Sequence, residues 1–462
     1  MDFAGSSRKN LSTVLFIRPI LSIMSMRIEL GRAKFADKNS GARPAVFWDP
    51  ATAISGHAII VGSSGVGKTY RLRRILHNLI STNGNVNIHI LDVHGDIAPH
   101  ARNKVDFSEI TNNGLNPLEV ITDPEFGGVR RRINSFIDMI NRTSTKLGVR
   151  QEATLRALLE DLYHWNGYDA KDPRTWDPRT NPKVRGFSQK TRKHPTITNL
   201  VNICAWKLNV LITGGGADAY KALAEVNKHA RKMNAEALKK DGCSDEKMDS
   251  LILKANESYE NYTHKIRSGR EMEEFIKYGS PDVLKAVFER IKGLDAVGIF
   301  KDEPPVFPYP DPPRVYNIKA LAESEQRMFA EVLLERLFVE AKARGQKDTP
   351  DTFIVIDEAH KFLSPQNDHI INRMSREIRK FGVGLILVSQ NFDHFPQDII
   401  ANSAMTLILG LHDMDHGKAE RSLGLKPGKL KFIKPKQTAL VQVRSGLNNG
   451  LTNTFNDILL AS

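Results

Sequence analysis

The segment Gly62 to Thr69, GSSGVGKT, constrains this chain more than any other. Its spacing is glycine, four residues, glycine, lysine, then a hydroxyl residue, the pattern of a phosphate-cradling loop. Glycines let such a loop turn tightly and aim backbone N–H groups at phosphate oxygens. An apolar run, HAIIVG at 57–62, leads into it. A helical pattern follows from Lys68, with Leu72, Ile75, Leu76, Leu79 and Ile80 on one face and Arg71, Arg73 and Arg74 off it. The positive end of that helix would face the bound anion. The nucleotide-binding residues expected are Gly62, Ser63, Ser64, Gly65, Val66, Gly67, Lys68, Thr69 and Tyr70. Lys68 is expected to reach the β- and γ-phosphates of ATP or GTP, and Thr69 to ligate Mg2+.

Continuous apolar runs recur at NIHILDV (87–93), TFIVID (352–357), LILVS (385–389), TLILGL (406–411) and ALVQV (439–443). Runs of this kind read as strands buried on both faces of a parallel sheet. Alternation with amphipathic helices gives an α/β fold with a mainly parallel central sheet. From about Gln151 to Gly293 the pattern is mostly helical, and Gly214-Gly215-Gly216 reads as a hinge. The expected organisation is a leader and short β segment (1–45), the first part of the core (46–140), a mostly helical insertion (141–310) and the second part of the core (311–462).

Two further motifs bear chemistry. FIVIDE (353–358) is an apolar strand ending in two acids. Asp357 is the expected Mg2+ ligand and Glu358 the residue that polarises the attacking water, which points to an ATPase rather than a GTPase. In such ATPases another strand lies between this one and the strand that leads into the phosphate loop. The third motif, SREIRKFGVGLILVSQ (375–390), is a basic helix ending at Gly382, then a strand, then Gln390. Ile371, Met374, Ile378 and Phe381 mark its buried face. Gln390 is positioned to sense a γ-phosphate. An arginine of this helix could enter a neighbouring subunit's site, or could be a solvated surface residue.

Taken with LDVHGD (91–96), GLNPL (114–118) and IDEAH (356–360), these motifs resemble the HerA–FtsK superfamily of ring-forming ATPases. The likeness covers about 45–150 and 285–445 and implies a RecA-like P-loop NTPase core, with ATP and Mg2+ as cofactors. By that resemblance Lys68, Thr69, Asp357 and Glu358 take the hydrolytic roles and Gln390 the sensor role. Arg379 is the implied arginine finger, with Arg376 its rival, and Asp92 and His94 match a signature near the nucleotide or the subunit boundary. The chain departs from HerA-type helicases in offering only residues 26–55 for an N-terminal barrel. It departs from FtsK-type motors in lacking a visible winged helix, and its insertion resembles that of conjugative coupling and type IV secretion ATPases.

Net charge is +13, which suits a polyanionic partner. Two stretches could grip DNA phosphates without reading sequence. Lys171–His194 carries eight Lys/Arg against two Asp, with Trp165, Trp176 and Phe187 nearby. Lys418–Arg444 carries eight Lys/Arg against one acid. Trp165 reads as core, on an apolar helical face. Only two cysteines, Cys204 and Cys243, are present, which fits a reducing cytoplasm. The apolar segment 11–26 is broken by Arg18 and Pro19 and reads as a leader rather than a stable membrane anchor.

The expectation is a cytoplasmic ring ATPase, hexameric by resemblance, that translocates on double-stranded DNA with a separately encoded nuclease or effector in repair or phage defence. The alternatives are a conjugation or secretion ATPase and an ATP-switched assembly module without translocation.

Overall fold

The side chains of the central strands sort by parity onto two faces of one sheet. Ile59, Val61, Leu385, Leu387, Ile354 and Ile356 join one buried cluster, whereas Ala58, Ile60, Ile386, Val388, Phe353 and Val355 join another. A strand apolar at every position must be covered on both faces. The structure is a computed structural model and describes residues 26–35, 41–82, 86–179, 192–213, 217–238, 245–266, 270–445 and 454–460. The expected leader (1–25), the hinge at 214–216, Cys243, and residues 180–191 of the Pro-rich basic stretch, Phe187 included, lie outside them.

In chain order the first elements are β1 (Ile28–Ala33), β2 (Ala45–Trp48), β3 (Ala58–Val61), α1 (Lys68–Thr82), β4 (Asn87–Asp92) and β5 (Asn103–Asp106). Seven helices follow: α2 (Val129–Thr143), α3 (Val149–Trp165), α4 (Ile197–Thr213), α5 (Ala217–Ala237), α6 (Asp245–His264), α7 (Arg270–Tyr278) and α8 (Pro281–Ala296). Then come β6 (Arg314–Asn317), α9 (Glu323–Ala343), β7 (Lys347–Ile356), α10 (Ile370–Glu377), β8 (Phe381–Ser389), α11 (Gln397–Asn402), β9 (Met405–Ile408), α12 (Asp413–Ser422), β10 (Thr438–Val443) and β11 (Phe455–Leu459).

The strands form one 11-stranded sheet in the order β2-β1-β11-β10-β9-β3-β8-β7-β4-β6-β5. From β9 to β5 neighbours run parallel; β10, β11, β1 and β2 continue the sheet antiparallel. As expected, one strand, β8, separates β3 from β7. Residues 26–55, the stretch offered for an N-terminal barrel, instead add β1 and β2 to the edge of this sheet.

α1 covers one face through Leu72, Ile75, Leu76 and Leu79. The other face carries α2, α3, α4, α8, α9 and α10, whose apolar residues merge with the sheet into a single core. The helical stretch between β5 and β6 therefore begins at Val129, and its first helix is part of the sheet's own packing. α5 and α6 pack mainly on each other, around Ala219, Ala222 and Tyr262.

Several local readings are corrected. Arg71 is buried, and its guanidinium reaches the ring of Tyr70 (5.4 Å). The basic helix stops at Glu377, one 3-10 turn follows, and Gly382 lies inside β8 with φ +72° rather than capping the helix. Ile371, Met374, Ile378 and Phe381 are buried as expected. Trp165 is 48% exposed and packs against Trp206 at the surface of the helical unit. Trp176, near the basic stretch, is buried, donates from Nε1 to the Asp169 carbonyl (2.7 Å) and fills the space beside Gly128, so it belongs to the packing.

Candidate active site

β3 delivers the chain to Gly62 at the carboxyl end of the sheet, where the loop turns through Gly65 (φ +81°) and Gly67 (φ +98°) into α1. Only glycine adopts such backbone without strain. The loop is tied to both neighbours of β3. Gly62 N–H donates to Ser389 O (3.2 Å) at the end of β8, and Ser63 N–H donates to Gly410 O (2.8 Å) beyond β9. Val66 is buried against this floor, whereas Ser64 and Gly65 are exposed and Tyr70 stands 54% exposed. Lys68 Nζ donates to Ser63 O (3.1 Å). Burial lowers the Lys68 pKa, while Glu358 and Asp357 oppose the shift. Both acids therefore lie close enough to the loop lysine to act on it.

Those acids stand where β7 ends. Asp357 is 6% exposed and accepts from the Glu358 N–H (2.9 Å). Burial pushes its carboxyl up to about 6; that hydrogen bond resists the rise, while Glu358 and Asp96 add to it. Glu358 adopts left-handed backbone (φ 47°, ψ 44°) and is 7% exposed. Such a conformation is costly for a residue with a Cβ.

Gln390, one residue past β8, donates its amide to both oxygens of Glu358 (3.1 and 3.2 Å). His360 Nδ1 lies 3.1 Å from Glu358 Oε2, an ion-pair approach that is not aligned as a hydrogen bond. Burial lowers the His360 pKa, and Glu358 opposes it. His94 Nε2 lies 3.8 Å from Glu358 Oε1. The neighbouring Asp92 is fully buried and accepts from Gly95 N–H (2.8 Å) and Ile97 N–H (3.2 Å), so it shapes the turn that presents His94.

The fold thus gathers the loop, Asp357, Glu358, Gln390 and His94 at one end of the sheet. Two participants were not foreseen. The His394 ring lies tilted beside His360 (5.0 Å between ring centres), and its Nδ1 meets Ser389 Oγ (2.9 Å). Nothing in the run NFDHF marks His394 in sequence, because its place depends on the turn after β8.

Arg376 and Arg379 lie elsewhere. Both precede β8, whereas Gln390 follows it; nine residues of strand separate the two ends by about 30 Å. Arg376 is held by Asp398 (2.8 Å) and the Asn367 carbonyl (2.6 Å). Arg379 is exposed, and its charge bears on buried His57, the residue before β3. Neither can serve the site of its own chain. Clefts of about 830 and 730 Å3 also lie apart from the loop, against α9 and α2–α3.

The residues suit a nucleotide with a divalent cation: positive-φ glycines for phosphate, a half-buried lysine, and hard oxygen donors on Thr69 and Asp357. Among the described residues no helix is long and apolar enough to cross a membrane.

The family described as "Helicase HerA, central domain" matches residues 28–337, from β1 into α9. Asp357, Glu358, Arg379 and Gln390 lie beyond that match. No curated protein sequence matches the chain. Among solved structures, VirB4 of Thermoanaerobacter pseudethanolicus is similar at 16% identity, covering 94% of this chain and 96% of its own, with a TM-score of 0.58. The bacterial conjugative coupling protein TrwBdeltaN70 aligns at 11% identity over 90% and 87%, with a TM-score of 0.47. The likeness to VirB4 is one of fold, the α/β P-loop architecture described above. With the family match spanning most of the chain, this protein belongs to the HerA helicase central-domain family.

Proposed function

We propose that this chain is an ATP-hydrolysing motor subunit that assembles into a ring and translocates on double-stranded DNA. The observation that carries the reading is Glu358, a buried carboxylate on left-handed backbone, gripped by Gln390 and set across β8 from the phosphate loop. A module that only binds ATP and switches has no use for so constrained a base.

The cofactors are ATP and Mg2+. Gly62 to Tyr70 would hold the phosphates, with Lys68 on the β- and γ-groups; Thr69 and Asp357 would hold the cation. When bound, Mg2+ neutralises charge on the phosphate oxygens. Glu358 accepts the proton of the attacking water. Gln390 carries the N–H donors that a γ-phosphate would compete for, so it links nucleotide state to the freedom of Glu358. Arg379 is the finger, and because it sits at the opposite end of β8 it acts on the neighbour's site. Head-to-tail contacts of that kind close into rings, with six subunits the number the resemblance implies.

Basic side chains of Lys171–His194 and Lys418–Arg444 supply the sequence-independent grip on DNA. A nuclease or other effector is the partner this reading calls for, in repair or phage defence and in the cytoplasm. The division into two core segments around a helical insertion fits a motor whose insertion serves that partner. A second reading, a conjugation- or secretion-type transfer ATPase, is favoured by the helices α2–α8 and by the full-length likeness to VirB4.

ATP turnover measured with and without linear duplex DNA tests the proposal. Stimulation at low salt that fades as salt rises is expected. A rate indifferent to duplex DNA at low salt would remove DNA translocation from the reading and leave transfer of another cargo.

A further inference from the structure

One part of the basic stretch Lys418–Arg444 lies beside the phosphate loop. β10 runs antiparallel to β9, so its first residues stand at the same end of the sheet as Gly62. The strap before it, 433–437, is closed by hydrogen bonds from Gln437 N–H and Thr438 N–H to Lys434 O (3.1 and 2.9 Å) and from Lys434 N–H to Thr438 Oγ1 (2.7 Å). Leu460 N–H fixes its far side by donating to Gln437 O (2.8 Å).

Two distances place this strap beside the loop and its support. A Cβ built on Gly410, whose carbonyl holds Ser63, would sit 3.8 Å from Pro435 Cγ and 3.6 Å from Val66 Cγ1. A Cβ built on Gly67 would sit 3.9 Å from Lys436 Cγ, within van der Waals range. The stem of Lys436 therefore runs beside the glycine that precedes Lys68. Lys436 is exposed and forms no ion pair among the described residues.

Its backbone is the second unusual feature. Lys436 has φ +64°, and apart from Glu358 it is the one described residue other than glycine in that region. Glycine would occupy the position with less strain. A bulky cation kept on strained backbone beside a phosphate loop indicates a task for its charge.

We propose that Lys436 is a second phosphate-contacting lysine of the nucleotide site, brought over the loop in cis by the 433–437 strap. The ligand class is the polyphosphate of a nucleoside triphosphate. The inference rests on the reading that Gly62 to Thr69 bind ATP, and it adds a residue that the loop motif does not contain. Lys68 approaches from the start of α1 and Lys436 from the strap, so the phosphate chain would be gripped from two elements. The strap joins β10 and β11 to the loop, which lets nucleotide binding bear on the antiparallel half of the sheet.

Binding of the non-hydrolysable analogue adenosine 5′-(β,γ-imido)triphosphate to the full chain tests this, with Lys68→Ala as the reference loss. Lys436→Gly removes the charge and relieves the backbone. It should melt no lower than wild type yet bind the analogue about tenfold more weakly, the loss of one charge-assisted contact. Lys436→Asn, which also tolerates left-handed backbone, should behave alike, and Lys436→Arg should recover most of the affinity. If both uncharged variants bind within twofold of wild type while Lys68→Ala does not bind, the proposal is overturned and the nucleotide site stands. Lower DNA stimulation at unchanged analogue affinity would also overturn it, in favour of a DNA contact. No binding by wild type would overturn both readings.

Discussion

The roles proposed for Lys68 and Glu358 separate binding from chemistry. Lys68→Ala removes the loop's phosphate anchor, and ATP binding should be lost. Glu358→Gln keeps size and hydrogen bonding but cannot accept a proton, so turnover should fall by about 100-fold or more while ATP still binds. Equilibrium binding and steady-state hydrolysis distinguish the two. His89 gives a separate test of the fold. It is buried in β4 with Nδ1 against Tyr316 Oη (3.1 Å), and burial lowers its pKa to about 3, with Arg314 and Arg344 adding to the shift. The unfolded chain protonates near 6.5 and the folded chain does not, so stability falls as pH drops below 6.5 toward 3. In His89→Gln the stability lost between pH 7.5 and 4.5, read by chemical denaturation, should shrink by on the order of 2 kcal/mol. An unchanged loss would place the acid sensitivity elsewhere.

At the scale of elements, β7 and β8 meet through a glycine. A Cβ on Gly384 would lie 2.4 Å from Gly56 O and 2.7 Å from the Phe353 ring, and neither backbone nor a packed ring can yield. Gly384→Ala should therefore destabilise the protein by about 1–3 kcal/mol, seen as a lower denaturation midpoint. The long apolar runs and the phosphate loop were legible in sequence, because a strand buried on both faces has to be apolar throughout. Short strands such as NKVD (β5), RVYN (β6) and FNDIL (β11) were not, since polar residues interrupt them and their pairing is non-local. The helix end was misread at Gly382 because a positive φ serves a strand irregularity as well as a cap. Glu358 and Gln390 could be nominated from their motifs. The contacts of His360, His394 and Lys436 arise from loops that converge only when the sheet is complete.

For the whole molecule, the decisive geometry is that Arg379 and the phosphate loop occupy opposite ends of the sheet. Each hydrolytic site is proposed to be shared, with loop, Asp357, Glu358 and Gln390 from one subunit and Arg379 from the next. Arg379→Ala should bind ATP normally yet hydrolyse it slowly, and Glu358→Gln should do the same for a different reason. Mixing the two variants in one assembly tests the claim most directly. An interface pairing the Glu358 of one with the Arg379 of the other is complete, so about a quarter of interfaces regain both groups in an equal mixture. DNA-stimulated ATP hydrolysis should rise well above that of either variant alone. A rate no greater than the average of the two would contradict a site shared between subunits.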